Sequence, residues 1–335
     1  MDKQGKNVLV VGGAGYVGGA LTDLLMETKH RVRVYDALLY EEAYRKNVEF
    51  VLGDVRDRHR LEKHLDWADV VVWLAALVGD AACALNPDVS AAVNRDTVRW
   101  MARRFDGRIV FLSTCSVYGA QDGLLVESSP TAPLSVYAET KLEAEGYLAD
   151  KNAIIFRLGT LFGVGDLFAR IRLDLVVNVL TVRACQHGRV TVYGGDQFRP
   201  LLHVRDAARA IAENLTTAHC GVFNLSQENV RIVDLAEQVG QYVPGILIER
   251  VGTTFEDARN YRVSIEKAAT EMGFTPRYSI AEGIEEIKAL VDSGRLKDLD
   301  NPRYSNVGFL KRYQPHVDLR YASEKVAEEA ALRAA

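Results

Sequence analysis

Residues 7–18 read Asn-Val-Leu-Val-Val-Gly-Gly-Ala-Gly-Tyr-Val-Gly. The apolar run from Val8 to Val11 predicts a buried strand, the glycines a tight turn, and the pattern from Tyr16 onward a helix. Such a turn lets backbone approach a pyrophosphate closely. The helix N-terminus adds free N–H groups and a partial positive charge. The glycines fit two patterns, Gly13, Gly15 and Gly18 as G-x-G-x-x-G, and Gly12, Gly15 and Gly18 as G-x-x-G-x-x-G. Both imply a bound dinucleotide, with Tyr16 and Val17 in the first helical turn beside it. An acidic residue is due about 20 positions later, at the end of a second strand. Asp36 closes Arg31-Val-Arg-Val-Tyr-Asp at that distance. A carboxylate there accepts hydrogen bonds from the adenosine ribose and repels a 2′-phosphate, so the cofactor expected is NAD rather than NADP.

Working outward, strand-like runs at 7–12, 31–36, 48–52, 69–75, 108–113 and 153–158 alternate with helical patterns at 16–29, 58–65, 88–105 and 135–150. Short apolar strands joined by amphipathic helices predict a Rossmann-type, doubly wound parallel α/β sheet covered on both faces. After about residue 160 the pattern becomes shorter and more mixed. Helices are expected at 173–186, near 205–215, and at 231–240, 264–272 and 279–293, with strands at 190–193, 221–225, 246–251 and 261–263 and a loop before residue 205. This organisation reads as an NAD-binding domain over 1–160, with 194–225 returning to it. A smaller mixed α/β substrate-binding cap then spans 161–193 and 226–293, and a C-terminal extension spans 294–335. The extension contains a turn-rich stretch from Asn301 and an Ala/Glu/Lys/Arg helix over 322–335.

The chain of 335 residues has 48% hydrophobic and 26% charged residues and a net charge of -4. With no basic surplus to neutralise phosphates, neither nucleic acid nor an acidic membrane surface is an expected partner. The four cysteines are scattered without metal-ligand spacing, so no metal site and no disulfide framework is expected. A polar N-terminus leading directly into a strand, and no apolar run near the ~18 residues that span a bilayer, point to the cytoplasm.

Tyr137 and Lys141 lie one helical turn apart in Ser-Val-Tyr-Ala-Glu-Thr-Lys. A tyrosine acting as a base near neutrality needs its pKa of about 10 lowered, and a neighbouring ammonium does part of this. Upstream, Arg108-Ile-Val-Phe-Leu-Ser-Thr is a buried strand ending in hydroxyls, where Thr114 can hold a substrate oxygen beside Tyr137.

With these motifs the chain resembles the extended short-chain dehydrogenase/reductases, and among them the nucleotide-sugar epimerases and dehydratases. The resemblance spans about residues 7–293. It rests on residues 12–18, Asp36, Gly53-Asp-Val, Leu74-Ala-Ala, Asn94, Ser113-Thr-Cys-Ser-Val-Tyr-Gly, Tyr137-x-x-x-Lys141, Arg157-Leu-Gly-Thr-Leu-Phe-Gly and Tyr193-Gly-Gly-Asp-Gln-Phe-Arg. It implies Thr114, Tyr137 and Lys141 as the catalytic set, with Lys141 also on the nicotinamide ribose. Asp54 and Val55 would meet the adenine, and Leu74, Ala75 and Ala76 would line the cofactor's path. The implied substrate is a nucleotide-diphosphate sugar. Arg199, with Arg259 or Arg262, would grip its diphosphate, and Ser116, Asp174 and Asn178 would make further substrate contacts. Helices 88–105 and 135–150 would pair as a homodimer interface.

The chain departs from the pattern in two places. In 4,6-dehydratases of the family, Asp and Glu follow the catalytic threonine; here Cys115 and Ser116 stand there. A thiol and a hydroxyl make a poor acid/base pair for eliminating water, and decarboxylation is disfavoured likewise. Thr160 and Phe162 replace the Asn and Tyr usual after Arg157. His203 reads as structural. The function implied is an NAD-dependent epimerase acting at C4 through a transient keto-sugar and return of the hydride. The alternatives are a 4-keto-sugar reductase, then a 4,6-dehydratase, and last a non-catalytic NAD-binding protein.

Overall fold

The computed structural model describes residues 5–252 and 259–313. Its centre is a seven-stranded sheet, all of whose neighbouring pairs run parallel. In chain order the first half runs β1 (Asn7–Val11), α1 (Tyr16–Met26), β2 (Arg31–Asp36), β3 (Glu49–Leu52), α2 (Arg58–Trp67), β4 (Val70–Trp73), α3 (Asp80–Ala84), α4 (Pro87–Ala91), a π-turn (Ala92–Asp96), α5 (Thr97–Arg104), β5 (Arg108–Thr114), β6 (Ala120–Leu125), α6 (Val136–Leu148) and β7 (Ala153–Leu158). The second half runs β8 (Thr160–Phe162), α7 (Val176–His187), β9 (Arg189–Tyr193), β10 (Phe198–His203), α8 (Val204–Glu213), β11 (Gly221–Leu225), β12 (Glu228–Arg231), α9 (Ile232–Tyr242), β13 (Leu247–Val251), β14 (Asn260–Val263), α10 (Glu266–Met272) and α11 (Ile280–Asp292).

The main sheet has the order β11-β7-β5-β4-β1-β2-β3. Val8 to Val11 of β1 and the whole of β4, β5 and β7 are buried. Burial on both faces explains their continuous apolar runs, which alternation alone would not have revealed. One face packs on α1 and α8 through Ala20, Leu21, Leu25, Ala207 and Ile211. The other packs on α2, α5 and α6 through Leu61, Leu65, Met101, Ala144 and Leu148. Strand order reverses at β1, which lies between β2 and β4, so a crevice opens at the strand ends there.

The cap contains a three-stranded sheet, β12-β10-β8, and the parallel pair β13-β9, with α7, α9 and α11 packed around them. Within 194–225, α8 and β11 sit in the main layer, whereas β10 belongs to the cap sheet. Two sequence expectations are corrected. The stretch 198–203, expected as loop, is the strand β10, buried from Arg199 onward and paired on both sides. The expected single helix over 88–105 is broken by the π-turn, in which Asn94 is fully buried. There Asn94 accepts a hydrogen bond from the Leu77 N–H (2.8 Å) and donates to its carbonyl (2.9 Å), fixing the loop after β4. Ala120–Leu125, to which the sequence reading assigned no element, forms β6 and pairs with the distant β14. The helix expected over 322–335 lies outside the described residues. Residues 306–313 are helical.

Candidate active site

The glycine turn lies at the reversal point of the sheet, and its three steric roles are separable. Gly12 has φ +86°, and a Cβ on it would come within 2.4 Å of the Ala75 nitrogen. A Cβ on Gly18 would meet the Gly13 carbonyl oxygen at 2.4 Å, so this glycine lets α1 close on the turn. Gly15 would meet only the Gly12 carbonyl, at an ordinary 3.4 Å; its missing side chain leaves room for a ligand rather than for protein. Gly13 is crowded as well, since a Cβ there would meet Val34 Cγ1 at 2.9 Å, so glycines of both patterns are sterically required. Gly15 caps α1 without a side-chain acceptor, so the Tyr16 and Val17 N–H groups face the cleft as in other dinucleotide turns. The Tyr16 hydroxyl donates to the Gly163 carbonyl (2.5 Å), tying α1 to the cap.

Two variants separate these roles. Gly12→Ala is expected to lower the melting temperature by several degrees and weaken NAD binding by about tenfold or more. Gly15→Ala is expected to weaken NAD binding with the melting temperature nearly unchanged; paired thermal melts and NAD titrations check both.

Asp36 ends β2, and its carboxylate accepts from the Ala14 (2.9 Å) and Leu38 (2.7 Å) N–H groups. Burial raises its pKa, and those N–H groups oppose the rise. Asp54 is paired with Arg56 at 2.7 Å, next to Val55 on the cleft wall. Leu74 and Ala75 hydrogen-bond back to the Val11 carbonyl, and with Ala76 they line the opposite wall. The cleft encloses about 1520 Å³, more than the few hundred to about 1,000 Å³ of a one-ligand pocket. The turn, the open helix end, Asp36 and the volume fit NAD with room for a second ligand.

Thr114 ends β5, and Ser135 caps α6 by accepting from the Ala138 N–H (3.2 Å). This cap starts the helix two residues before Tyr137. Tyr137 is half-buried, and the Thr114 side chain is near enough to act on its phenol. Burial, then the nearby Cys83 and Asp80, holds its phenol well above the ordinary pKa; Arg172 and Thr114 pull it down. Lys141 is 3% exposed, donates to the Leu112 carbonyl (2.8 Å) and lies 4.6 Å from the Phe111 ring centre. Burial lowers its ammonium pKa to about 8. Behind this pair, Glu145 holds Arg157 (2.7 Å) and accepts from Ser113, while Arg157 donates to the Tyr118 hydroxyl (2.9 Å).

The Cys115 thiol is fully buried, donates to the Arg157 carbonyl (3.2 Å) and is pushed far up by burial, so it is no base. The Ser116 hydroxyl lies 3.2 Å from the Tyr261 hydroxyl and accepts from Arg259 (3.1 Å). Arg259 also pairs with Asp80 (3.0 Å), which accepts from Ser135 (2.6 Å). Arg199 donates to the carbonyls of Phe198 (2.8 Å) and Arg259 and lines the same end of the cleft. Asp174 also reaches the cleft, but its carboxylate is taken by Arg172 (3.0 Å) and the Asn306 N–H (2.7 Å).

Asn178 does not face the cleft. It is fully buried, accepts from the Gly163 N–H (3.0 Å) and donates to the Arg172 carbonyl (2.8 Å), a loop-fixing role. Arg262 stacks over Phe198 outside the cleft. His203 is buried; its Nδ1 accepts from the Arg205 N–H, so its Nε2 carries the proton donated to Glu286 (3.0 Å). The sequence reading missed Asp80, Tyr261, Arg170, Arg172 and Asn306. No local spacing marks them, because each reaches the site from a distant element.

A parallel doubly wound sheet, a glycine turn at its reversal point, an acidic end to β2, Thr114 at the end of β5 and Tyr137 and Lys141 on α6 define an NAD-dependent enzyme of the extended short-chain dehydrogenase/reductase type. Residues 8–226 match the NAD dependent epimerase/dehydratase family, and the chain belongs to that family. It is 29% identical over 314 residues to a UDP-glucose 4-epimerase of Halalkalibacterium halodurans, covering 83% of this chain and 93% of that protein. It is 27% identical over 316 residues to a dTDP-glucose 4,6-dehydratase of Streptomyces niveus, covering 83% of this chain and 90% of that protein. The solved structure of MoeE5 in complex with UDP-glucose and NAD matches with a TM-score of 0.73 and 26% identity, over 86% of this chain and 99% of that one. Relatives of equal similarity thus perform different reactions on nucleotide sugars. Among the described residues, no helix is long and apolar enough to cross a membrane, and no group of three or more His, Cys, Asp or Glu is placed to hold a metal ion.

Proposed function

We propose that the protein is a nucleotide-sugar 4-epimerase that keeps its NAD between turnovers. The observation that carries this reading is the pairing of an assembled Thr114–Tyr137–Lys141 set with a buried thiol at 115 and a hydroxyl at 116. Oxidation at C4 needs one base, one hydroxyl to hold the substrate oxygen and one cation beside the base. Elimination of water needs a further acid/base pair, and Cys115 and Ser116 are not one.

In this reading Thr114 holds the C4 oxygen and Tyr137 accepts its proton. Lys141 favours the phenolate. NAD, when bound, would supply reversible hydride transfer at C4, so that a keto-sugar turned over in the pocket takes the hydride on its other face. Arg199 and Arg259 hold the diphosphate while the keto-sugar turns, after which Tyr137 gives the proton back. The Arg259–Asp80 pair opens to free the guanidinium for that task.

Purified protein given UDP-glucose or dTDP-glucose, without added nicotinamide, is expected to form the C4 epimer with no net change in NADH absorbance. NMR of the sugar products checks this. Stoichiometric NADH oxidation with a 4-keto-sugar nucleotide would replace the reading by a ketoreductase. Accumulation of a 4-keto-6-deoxy sugar would replace it by a dehydratase.

A further inference from the structure

We propose that Arg170 and Arg172 form a cap-borne cation clamp on the pyrophosphate of the cofactor, set in place by Asn306. Both arginines lie in the segment between β8 and α7, and both line the cleft. Arg170 is 5% exposed and its guanidinium stacks 3.4 Å above the Tyr40 ring centre. Its hydrogen-bond acceptor is a neutral one, the Asn306 amide oxygen, and its Nε has no partner among the described residues. Arg172 pairs with Asp174. Two guanidinium groups thus share one directly bonded carboxylate.

Burial, with the like charge of Arg172, lowers the Arg170 pKa to about 10. A buried guanidinium without an ion-pair partner is costly, and an arriving anion relieves that cost. The position of the pair says which anion. The charge of Arg170 acts on Asp36, at the ribose end of the expected cofactor path. The charge of Arg172 acts on Tyr16, at the start of α1, and on Tyr137, at the redox end. Between those ends, over the open α1 N-terminus, belongs the pyrophosphate. Its two negative charges and non-bridging oxygens suit guanidinium forks. The helix end would hold one side of it and the cap arginines the other.

Asn306 comes from the segment beyond α11. Its amide nitrogen donates to the Val78 carbonyl (2.6 Å), its backbone N–H donates to Asp174 and its oxygen accepts from Arg170. One residue therefore connects the loop after β4 to both arginines. Nearby, Phe309 packs on Tyr40 and Leu310 on Leu77 and Ala82, which holds the segment across the cleft rim. Asn306 acts on the cofactor through the arginines, as a positioning residue.

The test uses the full chain stripped of cofactor and titrated calorimetrically with NAD, ADP-ribose and adenosine. Arg170→Met is expected to weaken NAD and ADP-ribose by about tenfold or more and to leave adenosine, which lacks the pyrophosphate, unchanged. Arg170→Lys keeps the charge without the fork and should fall between Arg170→Met and the wild type. Asn306→Ala should speed NAD release several-fold with the adenosine affinity unchanged. ADP-ribose bound by Arg170→Met as by the wild type would overturn the clamp. So would an equal loss of adenosine and ADP-ribose, which marks a merely structural role. None of these readouts depends on which sugar is turned over, so failure of the epimerase assay leaves them intact.

Discussion

Tyr137→Phe is expected to reduce turnover about a thousandfold while leaving NAD content and melting temperature close to those of the wild type. The substitution removes one hydroxyl, near the Thr114 side chain, from a half-buried ring whose shape is kept. In the protein without ligands, burial, then the nearby Cys83 and Asp80, holds the phenol neutral well past its ordinary pKa. Lys141 and the positive nicotinamide ring must together bring it down for it to act as a base. The wild-type rate should therefore rise with pH along an acid limb, and that limb should vanish in Tyr137→Phe. Rates measured across the neutral range, alongside thermal melts, check both statements. A variant within tenfold of the wild type would remove Tyr137 from the chemistry.

What the sequence made legible follows from how locally each feature is encoded. Strands β1, β4, β5 and β7 stand out as apolar runs because the parallel sheet buries most of their length, and β2 is marked instead by alternating valines and its closing Asp36. Strand β6, Ala120-Gln-Asp-Gly-Leu-Leu, is mostly exposed and earns its place only by pairing with β14, far along the chain. The π-turn at Ala92–Asp96 is likewise invisible to a helical pattern, since it depends on Asn94 meeting Leu77. The same division runs through the site. Gly12, Gly15, Gly18 and Asp36 share one βαβ unit, and Tyr137 and Lys141 share one helix, so spacing alone places them together. Asn178 shows the converse. It sits on α7 close to the cleft in sequence, but the helix turns its amide inward to Gly163, and only packing against β8 and α11 sets that rotation. Asp80, the pair Arg170 and Arg172, and Asn306 belong to three separate segments that are brought to one cleft.

Lys141→Met is expected to cost activity about a hundredfold or more and yet to stabilise the cofactor-free protein. Lys141 is 3% exposed, and its ammonium meets one carbonyl, that of Leu112, and the Phe111 ring. The carboxylate whose charge acts on it, Glu145, is bonded to Arg157. Burial accordingly draws the ammonium pKa from 10.5 to about 8. At about 1.4 kcal/mol per unit, holding the buried charge at neutral pH costs about 3 kcal/mol. Methionine keeps the length and fills the same apolar slot without the charge. The melting temperature at neutral pH should therefore rise by several degrees. The sign of its pH dependence follows from linkage. Below about pH 8 the lysine is charged in both folded and unfolded chains, so the full cost applies. Between about 8 and 10.5 the folded lysine is already neutral while the unfolded one still holds its proton, so wild-type stability rises with pH and the advantage of Lys141→Met shrinks. Residual activity of the variant should show its acid limb displaced to higher pH by about 1–3 units, because Tyr137 has lost the neighbouring cation. A fall in the melting temperature would mean that the Leu112 and Phe111 contacts outweigh the burial cost. An unshifted limb would mean that Lys141 serves the ribose alone and leaves the phenol to the cofactor.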